Sequence, residues 1–508
     1  MTLLDHLSIA PIVIPAIIAP LTLIAMRRKR RVGVVLSAVG CALMLATGVA
    51  LFGMAQDGAV RAYPIGGWPA PFGIVIVLDR LAAMMLVLAA ILASAVMAHA
   101  VVTGADRKGW HFHPLFHFQL MGLNGAFLTG DLFNLFVFFE VLLIASYGLM
   151  LHGQGALRLK AGIAYVVVNI VGSAIFLVAL GLLYALTGTL NMADLARRVA
   201  ALGPADAGMI RVAGLLLIAV FALKAAVAPL HLWLPRTYAA TLPVVGALFA
   251  IMTKVGVYAM IRVVPLIFGA DAGAAAWVTR PWLLPAAVVT AAIGFAGVLA
   301  SRGLREGAAF AVLGSTGTLL LAVACWTQAA TGAALYYLGH ATLAGGVLFL
   351  AADVTLRRRG QYADAVVATP RFAGQDVAGL LFLGAAIAAV GLPPLSGFVG
   401  KLLILDATAA EPQRWAIWAT ILTTTLIGVI GFARMGSTVF WKVDDGGTAI
   451  ACPRRSRAEF AAPAALLGVL ALYTIAAGWV VERADAAAAQ LFTPDGYSAA
   501  VLGRSDAQ

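Results

Sequence analysis

The sequence has 508 residues, enough for roughly two to four soluble domains, but 62% are apolar and only 11% charged, where soluble chains carry about a quarter. That balance excludes a water-soluble globular protein. Its 34 Lys and Arg against 22 Asp and Glu leave a net charge of +12, whose meaning depends on where the charges fall.

A helix needs about 20 mainly apolar residues to cross a hydrocarbon core of about 30 Å. Fourteen such runs follow one another, near 8–26, 33–52, 81–102, 112–130, 132–151, 161–186, 209–239, 242–264, 282–300, 307–327, 332–352, 376–405, 415–437 and 460–481. They are too continuous for the in/out alternation of a membrane barrel, so the fold class is an all-α polytopic membrane protein. The first run is followed, not preceded, by the basic stretch Arg27–Arg31, the reverse of a secretory signal. It is expected to remain as a span with its N-terminus outside.

Alternating sides from there puts 21 Lys and Arg in inside loops and nine in outside loops and the tail. This is the positive-inside bias, and it predicts an even number of spans with both termini outside. The basic surplus is therefore a topology signal, and nucleic acid is excluded as a partner. Cys41, Cys325 and Cys452 are far apart with no CxxC or Cys/His spacing, which argues against a disulfide framework, a metal site or an iron–sulfur centre. No P-loop, HExxH or GxSxG motif stands in a usable context, and the loops are too short for a catalytic domain, so no catalytic residues and no cofactor are expected.

Four basic residues fall inside spans: Lys224, Lys254, Arg262 and Lys401. Arg262 is near the outer end of its run, where a long side chain snorkels to the interface. Of the five glutamates in the chain, Glu140 alone lies in a span, about 13 Å deep at 1.5 Å per residue. Lys254, eleven residues after Pro243, is about half-way across. A charge at this depth costs at least ~2.5–3.5 kcal/mol and marks an ion path, a relay or a counter-ion. An inert Glu–Lys pair that only fixes packing is the alternative, but it neutralises one lysine of three. A desolvated lysine that sheds its proton hosts the surplus and can pass protons on.

The runs at 209–239 and 376–405 are too long to be straight; the first would measure about 46 Å. The first contains Pro229 and Pro235, and the second the string Gly391-Leu392-Pro393-Pro394-Leu395-Ser396-Gly397. Helix breaks are expected at Pro229, Pro235, Pro393 and Pro394. Two interrupted spans five places apart suggest two inverted five-helix repeats, a sequence pointer to a midplane ion site. The expected organisation is 1–111 for three leading spans, 112–265 for the first repeat, 266–440 for the second, and 441–508 for a loop, the last span and a solvated or partner-facing tail. His231, beside Pro229, and His340 are candidate proton relays, with packing as the alternative role of each. Tyr238, Thr253, Ser315, Thr316, Thr318 and Thr342 are candidate lining residues of a wet path or, equally, interhelical packing residues. Asp79, Asp131 and Asp353 fall at span edges and are expected to be solvated.

The segments GDLFNLFVFFEVLLIASYGLM (130–150), FALKAAVAPLHLWLPRTY (221–238), MTKVGVYAMIRV (252–263) and GLPPLSGFVGKLLIL (391–405) resemble antiporter-like membrane subunits. That superfamily includes the proton-pumping subunits of respiratory complex I, membrane-bound hydrogenases and Mrp-type (Pha, Mnh) cation/proton antiporters; the string around Glu140 is most similar to the Mrp D subunit. The resemblance implies that Glu140 and Lys224 are an ion pair, Lys254 a relay, Lys401 the terminal lysine of a second half-channel, and His340 the histidine of the eleventh span. It implies a hetero-oligomeric Na⁺ or K⁺/H⁺ antiporter in a bacterial cytoplasmic membrane, a secondary transporter with other membrane subunits as partners. A proton-pumping subunit of a redox-driven complex and a non-conducting scaffold are the alternatives.

Overall fold

In the computed structural model, which describes residues 5–442 and 456–503, the apolar runs are helices. Cys452, Arg454 and Arg455, and most of the expected 441–459 loop, lie outside the described residues. Helix α1 (Ala10–Arg28) turns into α2 (Arg30–Met54) at Lys29, whose extended backbone separates them. A short antiparallel hairpin comes next, β1 (Arg61–Pro64) on β2 (Val75–Leu78), with Arg61 opposite Leu78 and Pro64 opposite Val75. The hairpin is not foreseeable from the sequence, because a four-residue apolar strand carries no period of its own. Asp79 then caps α3 (Arg80–Thr103) by accepting the Ala82 N–H at 2.9 Å.

The next group is α4 (Phe112–Leu128), α5 (Leu132–Leu151), α6 (Ala156–Thr187), a short surface helix α7 (Met192–Ala200), α8 (Ala207–Lys224), α9 (Trp233–Ala240), α10 (Pro243–Phe249) and α11 (Met252–Ile267). After these come α12 (Arg280–Ala300), α13 (Leu304–Val323), α14 (Gln328–Arg358), α15 (Gln375–Val390), α16 (Ser396–Ala407) and α17 (Arg414–Gly436). The chain closes with α18 (Ala461–Ile475), α19 (Ala477–Leu491) and α20 (Pro494–Leu502). Among the described residues, 12 helical stretches are long and apolar enough to cross a membrane. Of the other two expected spans, α4 has 17 residues, and α15 and α16 are halves of one interrupted run.

Burial sorts the helices into a centre and a rim. The most apolar window is 100% buried across α10–α11, 94% in α14 and 89% in α13, against 39% or less in α1, α2, α6, α12 and α17. Lipid-facing positions of rim helices are apolar and exposed, such as Ile163, Val167 and Ile170 on α6. The central helices must therefore satisfy their polar groups within the protein. The expected last span, 460–481, ends early at Ala476, and the segment beyond it is not a solvated tail. Helix α19 buries Val480, Ala484, Ala487 and Leu491, a helical face, against α14 and α3, and α20 contacts α7 and β1.

Several charges expected at the surface are buried in pairs. Arg262 does not snorkel; its guanidinium grips both carboxylate oxygens of Asp79, and both side chains are at most 5% exposed. Tyr258 and Tyr497 flank it, so the pair ties the α11 end to the start of α3 and to α20. Asp353 on α14 is likewise buried, bonded to His99 at 2.9 Å and Arg357 at 2.7 Å. Each residue stands near a helix end, where sequence alone suggests solvent, but a neighbouring element supplies a partner that long-range packing brings. Asp131, partly buried, caps α5 through the Asn134 N–H at 2.9 Å.

In the loop after α14, Asp364 accepts from the Arg305 side chain at 2.9 and 3.0 Å and from its backbone N–H at 3.0 Å. Burial works against its charge, but the hydrogen bonds and charge of Arg305 outweigh it and hold the carboxyl below its usual range. A carboxyl lowered by folding stabilises the native state above the unfolded value, near 3.9, and loses that contribution as pH falls through the folded value. Thermal unfolding in detergent should therefore show a gap between wild type and Asp364→Asn that is widest near neutral pH and narrows below about pH 4. A gap that does not change with pH would contradict this account of the loop.

Candidate functional site

Among the described residues three interruptions, after α8, after α10 and after α15, are where the polar residues of the buried centre gather. After Lys224, the last residue of α8, the chain leaves the helix through Ala226 (φ +56°) and runs irregularly to Leu232 before α9 begins. Pro229 lies in this stretch, whereas Pro235 sits in the first turn of α9, where a missing N–H costs no bond. The second interruption spans 391–395 and holds Pro393 and Pro394; Gly391 (φ +73°) turns the chain out of α15. A third, between α10 and α11, has no proline. There the Phe249 carbonyl accepts from the Tyr238 hydroxyl at 2.9 Å, and the helix ladder slips at Ala250 and Ile251.

At the first interruption Lys224 reaches the Asn169 side-chain oxygen at 3.2 Å and its carbonyl at 3.5 Å. Ser173, one turn on along α6, donates to the Glu140 carboxylate and is 3.0 Å from the same Asn169 carbonyl. Among the described residues Glu140 and Lys224 form no direct ion pair; two neutral side chains of α6 bridge them. Spacing along separate helices cannot show such a bridge. Asn169 and Ser173 were legible as a polar i, i+4 pair in a run with no charged residue from 161 to 186.

Lys254, fully buried in α11, donates to Ser315 at 3.0 Å and to Thr316 at 3.3 Å on α13, and Thr316 continues to Thr253 at 3.2 Å. Ser315 also lines a cavity of about 10 Å³, at the lower limit for one water molecule, whose wall includes Tyr337 and His340. His340 on α14 is 1% exposed. Its Nδ1 pairs with the Ser396 hydroxyl at 2.9 Å, and its Nε2 donates to the Ala388 carbonyl at 3.1 Å, which makes Nδ1 the acceptor in a neutral ring. Two residues along α15 from Ala388, the Val390 carbonyl takes a bond from Lys401 at 2.8 Å; Thr425 on α17 takes another at 2.6 Å, and the amine lies 5.3 Å from the Phe295 ring centre. At the break Lys401 thus takes the Val390 carbonyl, and His340 shares the Ala388 carbonyl with the Gly391 N–H.

The structure gathers Lys254, His340 and Lys401 in one region: Ser315, which takes a bond from Lys254, shares the small cavity with His340, and His340 and Lys401 both bond carbonyls at the end of α15. It places Lys224 and Glu140 in a second cluster. The two meet where α11 crosses the end of α8: a Cβ on Gly256 would lie 2.6 Å from the Ala225 backbone nitrogen. His231 lies between the α8 and α9 ends beside the Pro229 backbone, and its Nδ1 is buried without a hydrogen-bond partner among the described residues. Tyr238, Thr253, Ser315 and Thr316 belong to these networks. Thr318 and Thr342 bond carbonyls of their own helices.

Interrupted helices facing unpaired amines in a buried centre define an ion-translocating membrane subunit. The chain belongs to the family described as NADH:quinone oxidoreductase/Mrp antiporter, TM, which matches residues 129–428, and is a multi-pass membrane protein. It is similar to the D subunit of a probable K(+)/H(+) antiporter of Rhizobium meliloti (strain 1021), with 38% identity over 98% of each chain. The D subunit of the Na(+)/H(+) antiporter of Bacillus subtilis (strain 168) is 34% identical over 98% of this chain and all of its own. A chain of the solved Mrp complex from Dietzia sp. DQ12-45-1b superposes with a TM-score of 0.87 at 29% identity, covering 99% of this chain and 100% of that one.

Gly397 opens α16 against His340: a Cβ there would lie 2.5 Å from the Ala388 carbonyl and 2.7 Å from His340 Nε2. Gly397→Ala should force His340 off Ala388, cost about 1–3 kcal/mol of stability, and lower ion transport while the protein still folds. Thermal unfolding beside a flux assay reads both; full flux in a folded variant would separate His340 from the transport path.

Proposed function

We propose that this chain is the proton-translocating D-type subunit of a multisubunit Na⁺ or K⁺/H⁺ antiporter, working with other membrane subunits in the bacterial cytoplasmic membrane. The observation that carries this reading is that Lys224, Lys254 and Lys401 are each buried and each bonded to neutral groups: Asn169, Ser315 with Thr316, and Val390 with Thr425. An amine held by hydroxyls and carbonyls can give up a proton and keep a hydrogen-bonded site, which an amine locked to a carboxylate cannot do without stranding the partner's charge. The D-type relatives, similar over almost their whole length, support the antiporter reading over a redox-driven one.

In this mechanism Glu140 and Lys224 form the gate. Approach of the carboxylate favours the charged amine; the Ser173–Asn169 bridge holds the two apart and favours release toward Lys254. From Lys254 the proton passes by Ser315, a water and His340 to Lys401. His340 receives at Nδ1 by way of the Ser396 hydroxyl, and its Nε2 leaves the Ala388 carbonyl to hand its proton through water to Lys401. His231 is placed to serve the α8–α9 end of the path. The two interrupted helices belong to inverted repeats, 112–265 and 266–440, so that one half-channel opens to each side. Both termini lie outside in this reading, which the 21 inside and nine outside basic residues support.

Glu140→Ala and Lys224→Ala, assembled in membranes of a host that lacks its own antiporters, should each reduce cation-driven proton flux at least about tenfold, the effect of a ~1.4 kcal/mol barrier. Asn169→Leu should impair flux as well, because Lys224 then loses its side-chain acceptor and keeps only the longer contact to the carbonyl of residue 169. Normal flux in both charge variants, at normal assembly, would remove the gate.

A further inference from the structure

The inner ends of α1, α4 and α5 enclose a cavity of about 480 Å³ that no step of the transport path uses. Its floor is apolar: Leu23 of α1, Leu115 and Phe118 of α4, and Leu151 of α5. Lys108 and His111 stand at its mouth, His152 is buried in its wall with Nε2 on the Ala105 carbonyl at 3.0 Å, and it adjoins a smaller hollow of about 380 Å³ that Arg27 borders; Leu23, Trp110 and His111 line both. Neither hollow has an Asp or Glu in its lining, although the nearby Asp106 could have supplied one. Asp106 is committed elsewhere: it is fully buried and takes bonds from Arg30 and from His113 at 3.2 Å. Arg27, Lys108 and His111 are exposed, and Trp110 is 65% exposed at the same level, where an indole anchors at a membrane interface.

We infer that this hollow is a binding site for an anionic phospholipid, with its phosphate among Arg27, Lys108 and His111 and one acyl chain along Leu115, Phe118 and Leu151. The charge is complementary to a phosphate, and a basic pocket between helices at the positive face is where such head groups dock. A free phosphate would use the mouth but not the floor; an apolar partner helix would use the floor but leave the basic mouth unmatched. The combination selects a molecule with an anionic head and an apolar tail. Bound there, the lipid would tie α1 to the α4–α5 pair that carries Glu140.

The test uses the full chain purified in mild detergent and native mass spectrometry with added phosphatidylglycerol, phosphatidylcholine or inorganic phosphate. One phosphatidylglycerol should be retained above the background of the zwitterionic lipid, and inorganic phosphate should not displace it. Each basic side chain near an anionic head group contributes about fivefold, so Arg27→Gln with Lys108→Gln should weaken retention roughly 25-fold. Lys442→Gln, another exposed basic change, should leave it intact. Both altered side chains are exposed, so the melting temperature without lipid should not move; Leu115→Trp, which fills the floor, should also abolish lipid retention. Equal retention of both lipids, full retention in the double variant, displacement by inorganic phosphate alone, or a partner-subunit helix seated in the hollow of the assembled complex would each overturn the proposal.

Discussion

The structure depends on the cost of holding amines in a low-dielectric centre without carboxylates to neutralise them. Each of Lys224, Lys254 and Lys401 would be more easily buried as a charged pair or replaced by an apolar residue. The chain pairs other buried charges in that way, Arg262 with Asp79 and Asp353 with His99 and Arg357, and holds the Arg359 guanidinium with the carbonyls of Ala363, Ala365 and Val367 in the loop after α14. Around the lysines it instead supplies hydroxyls, an amide and free carbonyls. The contrast within one molecule is between charges that lock helices together and, among the described residues, amines that have only neutral groups as hydrogen-bond partners.

The helix interruptions follow from that need. A lysine in an intact helix finds every carbonyl already bonded. At 225–232 and 391–395 the ladder stops; at 391–395 the Val390 carbonyl becomes an acceptor for Lys401, and the Ala388 carbonyl takes His340 beside the Gly391 N–H. Between α10 and α11 a tyrosine hydroxyl, rather than a proline, opens the ladder one turn before Lys254. Glycines at 256 and 397 let the neighbouring elements approach closely enough to share these groups. Broken backbone is tolerated here because the surrounding helices bury it, and the rim helices, apolar toward lipid, are regular.

Much of this was legible from sequence because membrane helices announce themselves by length and apolar content, and because a midplane charge or a paired proline stands out against that background. The runs, the two long interruptions and the three lysines were read directly. Hidden were features that depend on which helix lies beside which: the Asn169–Ser173 bridge, the Asp79–Arg262 pair, the Tyr238-induced slip and the docking of α19 on α14. The β1–β2 hairpin and α7 escaped because they are short and sit outside the membrane. Arg262 misled because distance from a helix end predicts snorkelling only when no carboxylate is packed against it.

The central claim is that Lys254, fully buried and held only by hydroxyls, carries protons rather than supporting the fold. Lys254→Met keeps the length and packing of the side chain and removes the amine. Proton flux measured in proteoliposomes of the assembled complex under an imposed cation gradient should be abolished, with thermal stability equal to or above wild type, since a buried amine held only by neutral hydroxyls is removed while Ser315 and Thr316 keep their bonds to the Val312 carbonyl. Wild-type flux in that variant would contradict the account.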